Sequence, residues 1–289
     1  MAPSLIPDHP VQYRTINGLK VRYREHVRAG APCLLMTNAW PQSIRCWDSS
    51  WDSLAGDYHL LAIDMPGFGL SQGQPGIMTP SAQGRFFVDV LDTFGLDAVH
   101  GIGPDVGVPA MLHFAQHYPD RVRSLVIFDG PGYYPPQLSW TLKAITASSA
   151  VRQLVAPFGN IFAFEAMRRG YRRFRPSKVA LAEYRKVNGL RGSFSGTLNY
   201  LASYPTELSA IGNGLARMET PTLVCWGEED PFLAPQNAKE LHKRIPRSEL
   251  YILSGCGHFS HEDAGYEFVS LLNDWINRQE PGLRQRQAR

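Results

Sequence analysis

Three residues of this 289-residue chain stand in settings that suit nucleophilic chemistry: Asp105, Asp230 and His258. Asp105 is the centre of Gly103-Pro104-Asp105-Val106-Gly107, directly after an apolar run and ahead of a helical one. Glycines on both flanks permit a tight strand-to-helix turn that holds the central side chain out on a strained backbone, the nucleophile elbow more often built with serine. A carboxylate is already ionised at pH 7 and needs no base before it attacks a carbon bearing a strained C–O bond or a halide. Asp230 follows Trp226-Gly227-Glu228-Glu229, just past another apolar run, and His258 lies in the glycine-rich Gly255-Cys256-Gly257-His258-Phe259. A histidine oriented by a carboxylate can activate water, which is what the release of an ester of Asp105 would require. The plainer role for Asp105 is to cap the helix that begins near Val106.

Strands must end at these residues and helices must brace them. Tyr13 to Val27 reads as a hairpin turning at Asn17-Gly18. Cys33 to Thr37, His59 to Asp64, Val99 to Ile102, Leu125 to Phe128, Thr222 to Trp226 and Glu249 to Leu253 read as further strands. Helices are expected over residues 79–94, Val108 to His117, Asn237 to Arg244 and Tyr266 to Arg278. The first carries the fullest signals. Thr79 is its cap, Pro80 its first position and Gly95 its stop, with Phe86, Phe87, Val90, Leu91 and Phe94 on one face. Strands without alternation, separated by helices, imply a parallel sheet covered on both faces through right-handed crossovers. The alternation breaks from Tyr133 to Leu215, 83 residues of helical pieces that include Arg168, Arg169, Arg172, Arg173 and Arg175. The expected plan is a core of residues 1–132 and 216–289 with a helical cap, 133–215, inserted.

With 44% hydrophobic and 19% charged residues, the chain has a globular composition, not a disordered or coiled-coil one. Its net charge of +3 is matched by Arg284, Arg286 and Arg289 near the end, so no sequence-wide basic surface points to nucleic acid. Cys33, Cys46, Cys225 and Cys256 form no CxxC pair, which argues against a disulfide scaffold and the usual zinc spacings. The opening MAPSLIPDHP lacks the basic and apolar regions of a secretory leader. No apolar run approaches the roughly 20 residues of a membrane helix. The expectation is a cytoplasmic protein, monomer or homodimer, without cofactor or metal. Its partner would be a small apolar substrate, neither nucleic acid nor membrane.

From Tyr13 to Trp275 the chain resembles the α/β-hydrolase superfamily. Besides Asp105, Asp230 and His258 in that order, the resemblance rests on two loops. One is Asn38-Ala39-Trp40-Pro41, where the superfamily commonly has His-Gly-x-Pro. The other is Asp64-Met65-Pro66-Gly67-Phe68-Gly69-Leu70-Ser71, its D-x-P-G-x-G-x-S loop. Aspartate at the elbow is similar to the epoxide hydrolase and haloalkane dehalogenase branch. The resemblance implies an α/β-hydrolase fold: an eight-stranded, mostly parallel sheet with helices on both faces and a helical lid after the sixth strand. It also implies an ester of Asp105 hydrolysed by water that His258 activates, with Asp230 orienting the imidazole. The backbone N–H groups of Trp40 and Val106 would form the oxyanion hole, by position. Asp129, just after Leu125 to Phe128, is the carboxylate that some members use in place of Asp230.

Val106 weighs against dehalogenation, because haloalkane dehalogenases usually have Trp after the nucleophile and fluoroacetate-type enzymes Arg. Epoxide hydrolases set lid tyrosines over the nucleophile to protonate the opening oxygen. Leu198-Asn199-Tyr200-Leu201 is near their L-N-Tyr/Trp-Tyr pattern, with Leu201 at the second aromatic position. Tyr200 and Tyr204 are therefore the candidate lid acids, ahead of Tyr171 and Tyr184. Asn38, Trp40, Phe128, Phe158, Phe162 and Phe164 are candidate pocket walls. The arginine cluster reads as a solvated lid face or as a contact for an acidic substrate. Epoxide opening leads these readings. Haloalkane or haloacid dehalogenation, cofactor-free isomerase or lyase chemistry, and non-catalytic ligand binding on the same fold are the others.

Overall fold

A computed structural model describes residues 10–190 and 192–280. The stretch 1–9 and the terminal Arg284, Arg286 and Arg289 lie outside the described residues. β1 (Gln12–Ile16) and β2 (Leu19–His26) form the expected hairpin. Asn17 and Gly18 both take positive φ, as a two-residue primed turn requires. The remaining strands are β3 (Cys33–Met36), β4 (His59–Ile63), β5 (Val99–Pro104), β6 (Val122–Phe128), β7 (Thr222–Gly227) and β8 (Ser248–Leu253). Their order across one sheet is β1-β2-β4-β3-β5-β6-β7-β8. Pairing is antiparallel at the hairpin and between β2 and β4, and parallel from there on. β3, β5 and β7 are buried along their whole length, which is why their sequences run apolar instead of alternating.

The core helices are α1 (Trp51–Ala55), α2 (Pro80–Phe94) and α3 (Gly107–His117), and, after β7, α9 (Gln236–Arg244), α10 (Ser260–Ala264) and α11 (Tyr266–Gln279). α2 starts where its cap signals place it: the Thr79 hydroxyl accepts the Ala82 N–H, and Gly95 closes the helix at φ +65°. Two apolar layers enclose the sheet. Phe86, Phe87 and Val90 of α2, Met111 and Phe114 of α3 and Leu241 of α9 fill one. Trp47, Trp51, Phe268, Leu272 and Trp275 fill the other.

Between β6 and β7 the chain forms α4 (Trp140–Ala147), α5 (Ser149–Val155), α6 (Gly159–Gly170), α7 (Lys178–Gly189) and α8 (Ser193–Gly214). Phe194 and Leu198 at the start of α8 pack with Ile145 of α4, while Leu208 and Ile211 further along join the layer of α2 and α3. Charge fixes the other side of the cap. Glu183 of α7 accepts from Arg22 Nη1 (2.7 Å) and Nη2 (2.9 Å), from Arg45 Nε (2.7 Å) and from the Ser43 hydroxyl. Burial pushes the Glu183 carboxyl up, but these donors outweigh it and hold it below its ordinary range. Arg22 is only 1% exposed. Asp64 Oδ2 is its other carboxylate partner, at 3.3 Å, so losing Glu183 leaves the buried cation half compensated, a change at or below the lower end of the about 3–5 kcal/mol typical of a broken buried pair. Glu183→Gln is therefore expected to lower unfolding stability by roughly 3 kcal/mol, measured by urea denaturation. An effect near zero would show that the cap does not depend on this contact.

Candidate active site

Asp105 lies between β5 and α3 with φ +45°, a conformation that crowds the β-carbon of any residue but glycine. Its N–H donates to the Phe128 carbonyl at 2.9 Å and its carbonyl accepts from Val108 at 3.1 Å, which locks the turn. The flanking glycines serve close packing, since neither has positive φ. A Cβ on Gly107 would stand 2.2 Å from Thr37 Oγ1, and one on Gly103 2.8 Å from Met111 Cγ. A third glycine, Gly130, lets the next strand end approach: its Cβ would lie 2.1 Å from the Asp105 carbonyl oxygen.

The carboxylate turns away from α3 instead of capping it. Asp105 Oδ2 accepts the Trp40 N–H at 2.9 Å, and the Val106 N–H also donates to this carboxylate. His258 Nε2 stands 3.8 Å from Asp105 Oδ1, beyond hydrogen-bond range. His258 Nδ1 is 2.8 Å from Asp230 Oδ2, and Asp230 Oδ1 accepts the Phe232 and Leu233 N–H groups at 2.8 and 3.0 Å. With Nδ1 held by a carboxylate, Nε2 is left to face Asp105. Asp129 is used otherwise. Its two oxygens accept the Gly227 and Ser260 N–H groups at 2.9 and 3.1 Å, joining the end of β6 to β7 and to α10.

Burial and charge oppose each other throughout the site. Burial raises the Asp105 carboxyl above its usual range, while the His258 charge and the Trp40 and Val106 N–H groups pull it back. Burial alone would lower His258, but Asp230, Asp105 and Asp129 outweigh it and raise the imidazole to about 9. Asp129 is pushed up to about 8, by burial first and then by Asp230.

A cavity of about 150 Å³ opens over Asp105, His258 and Val106. Its walls are mostly apolar: Trp40, Ile145, Phe162, Phe194, Leu198 and Phe232 among them. Phe194 stacks on Trp40 on one side, 5.7 Å between centroids, and on Phe162 on the other, 5.5 Å. Tyr204 lines the cavity and is 2% exposed. Burial and the Asp105 charge raise its phenol well above the ordinary value, so it keeps its proton.

Several expected site residues lie elsewhere. Tyr200 is buried, is not on the lining of this cavity, and donates its hydroxyl to the Val106 carbonyl at 2.8 Å, which braces the turn after Asp105. Asn38 is fully buried; its Oδ1 accepts the Met65 N–H and its Nδ2 donates to the Ala39 carbonyl, tying two loops together outside the cavity. Phe128 points into the layer of Trp47 and Phe268 on the far side of the sheet. Phe158, in the turn before α6, is 47% exposed. Phe164 lines a separate cap cavity with Tyr171 and Tyr184. Of the arginine cluster, Arg169 reaches the catalytic cavity, while Arg172 pairs with Glu229 at 2.9 Å.

Sequence reading missed how the cap grips the catalytic loops. The His258 N–H donates to the Gly170 carbonyl at 2.8 Å. Asp263 accepts from the N–H groups of Gly257, Arg172, Arg173 and Phe174. Asn188 Nδ2 donates to the Pro41 carbonyl at 2.8 Å, next to Trp40. Main-chain acceptors leave no trace in residue types, and Asp263 offered only a carboxylate five residues past His258.

A family model described as alpha/beta hydrolase fold matches residues 32–265. Among curated proteins, the 2-hydroxy-6-oxononadienedioate/2-hydroxy-6-oxononatrienedioate hydrolase of Burkholderia vietnamiensis is 24% identical over 76% of this chain and 77% of its own length. That of Klebsiella pneumoniae is 26% identical over the same shares. Among solved structures, a haloalkane dehalogenase from Bradyrhizobium elkani superposes with a TM-score of 0.81 at 23% identity, covering 94% of this chain and 99% of that one. An epoxide hydrolase superposes at 0.77 with 20% identity, covering 95% and 100%. At such identities these structures share the fold. The chain belongs to the alpha/beta hydrolase fold family and is an enzyme of that class.

Proposed function

We propose that this hydrolase opens a small, uncharged epoxide through an ester of Asp105. The observation that carries the reading is a nucleophilic carboxylate on the floor of an apolar cavity that Tyr204, a protonated phenol, also lines. Asp105 Oδ2 accepts the Trp40 N–H, leaving Oδ1, the oxygen nearer His258 Nε2, to attack the less hindered epoxide carbon. The C–O bond breaks as the new ester bond forms, and Tyr204 gives its proton to the departing oxygen. Water then adds to the Asp105 carboxyl carbon with His258 as base, the charge growing on Oδ2, where the Trp40 N–H already donates. The bond from the carboxyl carbon to the attacking oxygen then breaks; the diol leaves with that oxygen and takes its proton back from His258, Asp105 keeps one oxygen from water, and the second water proton restores the Tyr204 phenol.

Tyr204→Phe is expected to lower epoxide kcat/KM about 10²–10⁴-fold, the range for loss of a general acid. Tyr200→Phe should cost roughly 1 kcal/mol of stability through its lost hydrogen bond and leave turnover within a few-fold. Steady-state assays with small aryl and alkyl epoxides check both. Unchanged turnover in Tyr204→Phe would sink the assignment of the acid.

Dehalogenation is the second reading, supported by Trp40. Its indole Nε1 is buried without a partner among the described residues, on a residue that lines the cavity, and it could hold a departing halide. The relatives' named substrate is a dicarboxylate, a class that calls for cations. Besides the imidazole of His258, which faces Asp105, the cavity lining offers one cation, Arg169, and it stands beside Glu165, which favours the uncharged substrate.

A further inference from the structure

The cap holds a second cavity, of about 280 Å³ between α6 and α7, that shares no lining residue with the catalytic one. Ala163, Phe164, Met167 and Leu181 make its walls apolar, and Arg168, Arg175 and Arg185 stand among them. Arg168 is engaged by Glu165 at 2.7 Å. Arg175 donates to the Phe174 carbonyl, and neither it nor Arg185 pairs with a carboxylate among the described residues. Tyr184, also on the lining and 2% exposed, keeps a buried hydroxyl without a hydrogen-bond partner among the described residues. A buried donor left unmade is costly, so such a group points to something that completes it. Burial and the nearby Glu262 raise the Tyr184 phenol well above its ordinary value, which keeps it a donor.

Charge across the chain supports an anionic occupant. Residues 133–215 carry eleven Lys and Arg against three Asp and Glu, whereas residues 1–132 and 216–280 together carry fifteen against twenty-three. The small net charge thus hides a basic cap over an acidic core, and a basic cap draws anions toward itself. The cavity is also joined to the catalytic loop. Tyr171 on its wall donates its hydroxyl to Glu262, as Gln42 Nε2 does, and the preceding Gly170 carbonyl holds the His258 N–H.

We propose that this cavity is a second ligand site, for an organic monoanion with a short apolar body, and that its occupancy is felt at His258 through Tyr171 and Gly170. The carboxylate would face Arg175 and Arg185, and the apolar body the Phe164, Met167 and Leu181 walls. The proposal does not depend on the epoxide reading, because its readouts are binding and the His258 ring. Calorimetric titration of the full chain with octanoate, octanol and inorganic phosphate tests it. Octanoate is expected to bind at least about tenfold more tightly than either of the others, as charge-assisted hydrogen bonds added to apolar burial require. Arg175→Gln with Arg185→Gln should weaken octanoate about tenfold or more. Leu181→Trp, which fills the cavity and leaves both arginines, should abolish it. Saturating octanoate should shift the His258 ring signals in NMR spectra of the wild type and not of the variants. No octanoate binding, or binding undiminished in both variants, overturns the site. Octanol or phosphate binding as tight as octanoate overturns the ligand class, and unmoved His258 signals overturn the link to catalysis.

Discussion

Asp105→Asn is expected to reduce turnover by about 10⁴-fold or more, as loss of a nucleophile does, and at the same time to lower the pKa of His258. The second effect is the more diagnostic. His258 is raised to about 9 because Asp230, Asp105 and Asp129 together outweigh the burial that would lower it. Asparagine keeps the shape and the Trp40 N–H contact while deleting one of those three charges, so the imidazole must fall toward its ordinary value. The sign for stability follows. A folded-state pKa above 6.5 gives stability that is fully present below pH 6.5 and lost as the pH rises through about 9. In the variant that loss moves to lower pH. An NMR titration of the His258 ring, paired with pH-dependent urea denaturation, measures both. A His258 titration unchanged by Asp105→Asn would mean that Asp105 does not hold the proton on.

The same shift gives the base its timing. In the resting protein a histidine at about 9 is protonated at neutral pH and cannot accept a proton from water. On the proposed route, ester formation would neutralise Asp105 as asparagine does, so that the imidazole can shed its proton and be free to act as base at the step that needs one. Asp129 belongs to this balance although it makes no direct bond to His258. It is held by two backbone N–H groups, and its charge is the smallest of the three that raise the imidazole.

The sheet, the hairpin and the order Asp105, Asp230, His258 were legible because local rules govern them. Asn17-Gly18 can form only a few kinds of turn, and each chemical residue stands just past an apolar strand. The pocket walls were not legible in the same way. Phe128 ends a strand, and the face it points to depends on register, which places it against Trp47 and Phe268. Tyr200 and Tyr204 lie one turn apart on α8 and are equally buried in kind, at 0% and 2% exposure. Only the position of the Val106 carbonyl separates brace from cavity wall. Phe158 and Phe162 have helical spacing too, but α6 begins at Gly159, so Phe158 falls in the preceding turn. Long-range contacts such as Glu183 with Arg22, 161 positions apart, have no local signature at all.

His258→Gln should separate the two halves of the reaction and leave the first intact. Glutamine can still hydrogen-bond to Asp230, but it has no basic nitrogen with which to take a proton from water. Alkylation of Asp105 does not need that proton transfer, whereas hydrolysis does. Turnover is expected to fall about 10²–10⁴-fold, the contribution of a general base, and an ester should accumulate within the first turnover. Intact-protein mass spectrometry would then show one added substrate mass for an epoxide, localised by digestion to the peptide containing Asp105. A haloalkane would add the alkyl mass alone and release halide, which tells the two readings apart within one experiment. The wild type offers the converse check in ¹⁸O-water. Under single-turnover conditions the label should enter the Asp105 carboxylate, and the first diol should carry unlabelled oxygen from the protein. Label found in the first diol instead, with no adduct in His258→Gln, would mean that water attacks the substrate directly. Asp105 would then be the base, and the 3.8 Å gap between its Oδ1 and His258 Nε2 would need a different explanation from that of a nucleophile waiting beside its hydrolytic base.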